Sequence, residues 1–290
     1  MSSVLADFTA QLITETPTAP EPTTARIILG SDQLVLAVSE NEKEVVPLSD
    51  IMDINPGSVP QIFESPSGKP VTTAYTHEHN RQVALIAGNE NAITKFTSIL
   101  FKTILNGTNA IIKHPAKLGG RTVDSDFRGG ILGIKRGLVR IDTEEGPITI
   151  DTEKIIDFNR DTRSIDGTDR PVLIADHMRN GEAISTIIAA NSGQTFAILG
   201  RFLRIQYSKH MSALQQLSLS EEETELLTTI YSTGEKDTTL AKVTGIDPQK
   251  LKSLLHALHE KELIESNKEK PVLTSKGQVV VNQYLERVNN

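Results

Sequence analysis

Two pairs of histidines are the first side chains in this sequence that could bind a metal ion. His77 and His79 flank Glu78, so that both imidazoles would lie on one face of a strand. His256 and His259 share one face of a predicted helix. Neither pair has a third ligand at a spacing typical of a metal site, and the chain has no cysteine. Exposed surface histidines are the simpler interpretation, and we expect no bound metal.

Local motifs for nucleotide binding and catalysis do not match this sequence. Ser67-Gly68-Lys69 lacks the upstream glycine of a phosphate-binding loop, and RGGILG at 128–133 does not fit the dinucleotide fingerprint. No serine lies in a nucleophile elbow. We therefore expect no cofactor and a protein that is not an enzyme. The alternative is an enzyme whose site is scattered beyond local motifs, with converging carboxylates or histidines in a deep polar pocket.

A basic island interrupts an otherwise acidic chain. The formal net charge is −7, yet residues 111–140 carry a net charge of +5. Cationic groups accelerate and orient the binding of an acidic protein surface, and an aromatic side chain can anchor it. We predict that five residues of this island form such a contact: Arg121, Phe127, Arg128, Lys135 and Arg136. A basic surface loop or a contact between domains is the alternative interpretation.

The chain that must position these residues is long enough for two or three domains, since it contains 290 residues. With 38% hydrophobic residues it has enough apolar surface to fold into globular units. Its longest apolar runs are far shorter than the roughly 20 residues that span a bilayer, so no membrane insertion or secretion is expected. The acidity and the lack of cysteine favour a cytoplasmic protein that does not bind nucleic acid.

An internal repeat organises the first two thirds of the chain. Residues 34–55 and 138–159 align without gaps, with 6 identities in 22 positions. Each copy predicts two alternating strands around a polar turn, followed by an acidic and aliphatic segment. Downstream, 83–105 parallels 185–208 as a buried strand followed by an amphipathic helix. Upstream, we match the Asp-Phe pair at 7–8 to the pair at 126–127.

The repeat predicts an α+β fold in which many short strands are closed by one C-terminal helix. We expect two tandem pleckstrin-homology-like small β-barrel or sandwich domains, each with a C-terminal helix. The first would cover residues 1–110 and the second, its repeat, residues 111–210.

Residues 211–290 predict a winged helix-turn-helix domain. Ser220 and Glu223 form a capping box, so a first helix begins at this point. A short second helix, capped by Asp237 or Thr238, ends at Gly245, and a third begins at Asp247-Pro248. A hairpin through 263–273, with Lys268–Lys270 in the wing, and a final helix from Ser275 complete the pattern.

The charge of this predicted domain distinguishes protein docking from DNA binding. Residues 211–290 contain nine basic and twelve acidic side chains, and the third helix has no arginine. Arginine is the commonest specific reader of guanine, so we favour docking of a protein. The docking residues would be Lys250, Lys252, His256 and His259. The alternative function is a winged-helix DNA-binding transcription regulator with a tandem sensory domain.

The sequence resembles the archaeal taxis protein family CheF. The features that carry the resemblance are the Asp-Phe starts, the RGGILG segment, the VPLSDIMDI hairpin exit, its second copy and the C-terminal unit. The resemblance spans nearly the whole chain through the order of its units. It implies a non-enzymatic chemotaxis adaptor that links the phosphorylated response regulator CheY to the switch proteins of the archaellum motor. Further partners implied by the resemblance are CheC-type and CheD-type proteins.

Overall fold

The computed structural model describes residues 3–215, 217–233, 240–267 and 270–289. The chain folds as a mixed α+β protein with two large antiparallel sheets and six helices in these residues. We call 6–105 the first sheet unit, 108–215 the second sheet unit, and the described residues from 217 onward the C-terminal unit.

The first sheet unit contains seven strands and one helix. Its elements are β1 (Ala6–Thr14), β2 (Thr23–Leu29), β3 (Gln33–Ala37), β4 (Lys43–Pro47), β5 (Ile51–Pro56), β6 (Lys69–His77), β7 (Asn80–Gly88) and α1 (Glu90–Leu105). The strand order is β4-β3-β2-β1-β7-β6-β5. Asn89 caps α1 by accepting hydrogen bonds from the backbone amides of Asn91 and Ala92. The predicted apolar face of this helix is confirmed, because Ile93, Phe96 and Leu100 are buried.

The second sheet unit repeats this arrangement. Its elements are β8 (Thr108–Leu118), β9 (Arg121–Thr122), β10 (Arg128–Lys135), β11 (Leu138–Thr143), β12 (Gly146–Asp151), β13 (Ile155–Ile165), β14 (Thr168–Arg179), β15 (Glu182–Ala190) and α2 (Gly193–Gln215). The order is β12-β11-β10-β8-β15-β14-β13, with β9 paired only to β8. Both large sheets therefore have the same strand path, each followed by a helix.

Two details of the sequence interpretation need correction. The sheets are open and do not close into barrels, because the edge strands β4 and β5, and likewise β12 and β13, are joined by a 3-10 turn and do not pair. The upstream match is also wrong. The Asp-Phe pair at 7–8 lies in β1, whereas the pair at 126–127 precedes β10, which occupies the position of β2.

One continuous apolar core joins the two sheet units. The cluster includes Ile27 and Phe96 of the first unit together with Ile141 and Leu203 of the second. Polar contacts reinforce it, since the Gln194 side chain donates to two backbone carbonyls of the first unit, each at 2.8 Å. The helix of each unit thus packs against the sheet of the other as well as its own.

The C-terminal unit contains the predicted helices and hairpin. Its elements are α3 (Glu221–Thr233), α4 (Leu240–Thr244), α5 (Pro248–Glu260), β16 (Ile264–Asn267), β17 (Lys270–Leu273) and α6 (Ser275–Asn289). The capping box is confirmed: the Ser220 amide donates to the Glu223 carboxylate at 2.8 Å, and the Glu223 amide donates to Oγ of Ser220 at 3.2 Å. Residues 237 and 238, predicted to cap α4, and 268–269 of the wing lie outside the described residues.

Candidate functional site: a cationic cleft between two helices

The basic residues predicted from the sequence do not form one patch. Arg128 begins β10 and Lys135 ends it, so seven residues of strand, roughly 23 Å at about 3.3 Å per residue, separate them. Arg121 lies in β9, paired to the far end of β8. Only Lys135 and Arg136 are neighbours, at the turn between β10 and β11.

Arg128 and Phe127 make internal contacts in the second sheet unit. The Arg128 guanidinium forms an ion pair with Glu145 and donates to the backbone carbonyl of His114 at 3.2 Å. The Phe127 ring packs with the small cluster around Ile165 and lies 5.8 Å from the ammonium of Lys113. Both side chains are half-buried. They therefore stabilise the sheet, and each keeps an exposed part that a partner could contact.

Arg136 lies at the rim of a cleft between α1 and α2, with a volume of about 800 Å³. The two-residue turn that places it has φ of 51° at Arg136 and 78° at Gly137. This is the geometry of a type I′ hairpin turn, which favours glycine at its second position. The β10–β11 hairpin therefore holds the Arg136 backbone in a defined position beside the two helices.

Among the described residues, no carboxylate lines the cleft and six basic side chains do: Lys69, Lys102, Arg136, Arg201, Arg204 and Lys209. Two of these six side chains form ion pairs with carboxylates that do not line the cleft. Arg201 forms two hydrogen bonds with Asp53, at 3.0 and 2.7 Å, and Lys69 contacts Glu90 at 2.9 Å. Within the described part of the chain, the other four form no ion pair.

The floor of the cleft is apolar. Phe101 of α1 and Phe202 of α2 meet edge to face with ring centroids 5.5 Å apart, and both are buried. Ile93, Ile134 and Ile205 extend this surface. The cleft combines an apolar floor with a cationic rim, a combination suited to an anionic partner that has an apolar face.

Sequence reasoning identified Arg136 but missed the other basic residues of the cleft. A signal was present in α2, which carries Arg201, Arg204 and Lys209 and no acidic residue in a chain of net charge −7. The approach of α1 to α2 could not be read from either helix alone.

A second polar cluster is buried in the sheet of the second unit. The Thr186 hydroxyl lies 2.8 Å from Nδ1 of His114 and 3.0 Å from Nε2 of His177. The two imidazoles stack with their centroids 6.0 Å apart. Burial lowers the pKa of each histidine to about 4, and the positive charge of Arg179 contributes to both shifts. Both histidines are therefore neutral near pH 7.

The histidine pair at 77 and 79 does not have the predicted strand geometry. His77 ends β6, whereas Glu78 and His79 form the turn to β7 with φ of 48° and 67°. Nδ1 of His77 instead faces the buried Glu44 carboxylate at 3.4 Å. No group of three potential metal ligands occurs within the described residues.

The predicted docking residues of the C-terminal unit lie on the outer face of α5. Lys250, Lys252, His256 and His259 are exposed, while Leu251 and Leu258 are buried against the unit. Lys250 forms an ion pair with Glu222 of α3. Lys261, which follows α5, pairs with Glu223 at 2.6 Å. Neighbouring carboxylates thus offset part of the positive charge that a DNA-reading helix needs, and the described residues of this unit give no support for the DNA-binding alternative.

Replacing Glu223 with glutamine is expected to lower the free energy of unfolding of the C-terminal unit by about 1–3 kcal/mol, because Lys261 would lose the anionic partner of a largely buried ion pair. Burial by itself raises the pKa of Glu223, but hydrogen bonds from Lys261 and Ser220 outweigh it, and the net pKa is lowered. Urea denaturation of the full chain measures the effect.

Glu222→Gln is the matched control, since it removes the exposed ion pair with Lys250 and is expected to cost less than about 1 kcal/mol. Equal losses in the two variants would contradict a structural role for the buried pair.

The described helices include none that is both long and apolar enough to cross a bilayer. Two sheet units of one strand order share a core and are followed by a helical unit. They define a multi-unit α+β protein with a cleft between α1 and α2 that is suited to binding.

Comparison with known proteins places this architecture in a signalling system. Residues 4–209 match the family model described as "Archaeal Chemotaxis signal transduction system protein F". The chain is 35% identical to "Taxis protein CheF2" of Halobacterium salinarum (strain ATCC 29341 / DSM 671 / R1) over 291 residues, which cover 99% of each chain. It is 24% identical to "Taxis protein CheF1" of the same organism over 252 residues, or 87% of this chain and 84% of the relative.

The chain belongs to the CheF family of archaeal chemotaxis signal transduction proteins. This is a signalling family and not an enzyme family, and its role implies protein partners within the taxis system. The family model ends at residue 209, so it covers both sheets and most of α2, while the CheF2 relative also spans the C-terminal unit.

Proposed function

We propose that this protein is a cytoplasmic adaptor that binds the phosphorylated response regulator CheY and transmits its state to the switch proteins of the archaellum motor. CheC-type and CheD-type proteins are further proposed partners. The observation that carries the proposal is membership of a chemotaxis signal transduction family over nearly the full length of a taxis relative. An adaptor of this kind works by differential binding to two states of its partner.

We also propose the finer fold assignment that underlies this function. Each sheet unit is pleckstrin-homology-like, which is supported by seven strands in a common order with a helix after the last. The C-terminal unit is a winged helix, supported by three helices, a hairpin and a closing helix. The proposed domains are 1–110, 111–210 and 211–290. The secondary structure places the element boundaries slightly elsewhere, because residues 110 and 111 lie within β8 and residues 210 and 211 lie within α2.

Two exposed surfaces are candidates for separate partners. The second sheet unit presents Lys135 and Arg136 together at the β10–β11 turn, with Arg121 apart from them in β9, and the C-terminal unit presents Lys252 and the two histidines of α5. We assign the first surface to the response regulator, because its cations complement an acidic phosphorylation pocket. Separate surfaces allow one partner to be held while the other changes state.

Binding to the response regulator tests the adaptor function. We expect the dissociation constant to fall at least about tenfold when the regulator carries beryllofluoride as a phosphoryl mimic, which corresponds to about 1.4 kcal/mol. Isothermal titration calorimetry measures both states, and duplex DNA in a salt series serves as the negative control. Equal affinity for the two regulator states would remove the signalling mechanism.

The assigned surface is tested by reversing one exposed charge. Lys135→Glu is expected to weaken regulator binding several-fold through a slower association rate, since Lys135 is exposed and forms no ion pair among the described residues. Lys252→Glu makes the same charge change on α5 and should leave the rate unchanged. Arg128→Glu is a poor choice, because the new carboxylate would face Glu145.

A further inference from the structure

We propose that the cleft between α1 and α2 is a docking groove for an acidic amphipathic helix of a protein partner. This inference rests on the proposed function in one respect: the partner is assumed to be a protein of the taxis system. It assigns the cleft an occupant of defined chemistry. The cleft shares Arg136 with the surface assigned to the regulator and is separate from the surface at α5.

The dimensions of the cleft fit a helix. The residues of α2 that line it run from Arg201 to Ser212, which spans roughly 16 Å at about 1.5 Å per residue. The opposite wall comes from α1, where the lining residues extend from Ile93 to Lys102. A helix of about three turns laid between these walls would present an apolar stripe to the floor, as amphipathic helices do in hydrophobic grooves.

The apolar floor supplies the binding surface for that stripe. Phe101 and Phe202 are buried beneath the floor of the cleft, while Ile205 is half-buried and also lines the cleft. Residues at positions i, i+3, i+4 and i+7 of the incoming helix would cover this surface and exclude water from it.

The basic side chains on the rim determine the sign of the charge that a partner must carry. Arg136, Arg204 and Lys209 are exposed on the rim, Lys102 is half-buried, and none of the four is ion-paired within the described parts of the chain. Four cations without a facing carboxylate repel one another and attract acidic side chains flanking an apolar stripe. In a chain of net charge −7 this cleft therefore selects an anionic partner.

The two sheet units contribute different parts of the groove. Lys102 belongs to the first unit, while Arg136 and Arg204 belong to the second. An occupying helix would contact both units at once, so its binding depends on the relative placement that the shared core and the Arg201–Asp53 pair maintain.

A labelled model peptide tests the groove in the full-length protein. The probe is a helical peptide of about fifteen residues with leucines at i, i+3, i+4 and i+7 and glutamates on both sides. A peptide of identical composition whose leucines are rearranged to break the stripe is the reference. We expect micromolar binding of the probe by fluorescence anisotropy, and at least tenfold weaker binding of the reference.

Charge reversal then locates the binding. The double variant Arg136→Glu, Arg204→Glu should weaken probe binding at least tenfold, because both side chains are exposed on the rim. The matched control Arg121→Glu, Lys252→Glu changes the net charge by the same amount at exposed positions outside the cleft. Probe binding by this control should equal that of the wild-type protein. Ile205→Ser provides a second test on the floor, with an expected loss of several-fold.

The proposal is overturned if the probe does not bind, if the rearranged peptide binds equally, or if the rim variant binds like the control. It is likewise overturned if only phosphatidylglycerol vesicles or inorganic pyrophosphate bind and the rim variant abolishes that binding. The beryllofluoride-loaded regulator is measured beside the peptide. Regulator binding without peptide binding rejects the groove and leaves the adaptor function standing, whereas peptide binding with no preference between regulator states rejects the adaptor and retains the groove.

Discussion

Phe202→Ala is expected to lower the free energy of unfolding by about 3–5 kcal/mol, the range found when a buried aromatic side chain is truncated in a core. Phe202 is 7% exposed and meets Phe101 edge to face across the boundary of the two sheet units. Its loss leaves a cavity in the cluster that both sheets share, so the two units should be weakened together. Urea denaturation followed by far-UV circular dichroism measures the change.

Ile62→Ala is the control for this truncation. Ile62 is 66% exposed, so removing its side chain is expected to change the free energy of unfolding by less than about 0.5 kcal/mol. If the Phe202 variant lost no more stability than this control, the two sheet units would not share a core at this point. A loss confined to one of two separate transitions would argue against their cooperation.

The second large effect is a fall in stability between about pH 6.5 and pH 4. The pKa of His114 and of His177 is about 4 in the folded protein, below the ordinary value of 6.5. The unfolded chain therefore binds more protons in this window. Stability has its full value above pH 6.5, decreases as the pH falls, and levels off below the folded pKa. Each histidine contributes a slope of about 1.4 kcal/mol per pH unit.

The slope can be assigned to the buried pair by comparing variants. His177→Gln removes one titrating group, so the free energy of unfolding measured in urea should lose about half of its pH slope in this window, whatever the absolute cost of the substitution. The control variant His256→Gln, His259→Gln changes two exposed histidines and should keep the wild-type slope. A slope that is the same in all three proteins would assign the acid sensitivity to other groups.

Local patterns in the sequence were sufficient for the elements of this protein. The ungapped match of 34–55 with 138–159 depends on alternation and turn residues, and it aligns β3 with β11 and β4 with β12. The capping box at Ser220 and the Asp247-Pro248 start are equally local, because a helix end satisfies its backbone amides with side chains a few residues away. Family resemblance followed from the order of these elements.

Closure and pairing were decided only by the tertiary structure. The sequence does not show that β1 pairs with β7, or that the sheets remain open at β4 and β5, since these depend on partners far along the chain. The same holds for charge. Arg128 is predicted to contact a partner, and only the tertiary structure shows that it also forms an ion pair with Glu145 and donates to the His114 carbonyl.

The sequence by itself determined a repeated strand pattern, a helical C-terminal unit and an acidic chain with a basic island. Only the tertiary structure brought Lys102, Arg136 and Arg204 to one cleft and stacked His114 on His177. The physical reason is that side-chain periodicity is set within a few residues, whereas a binding surface and a buried polar cluster depend on contacts between segments about 30 to 100 residues apart.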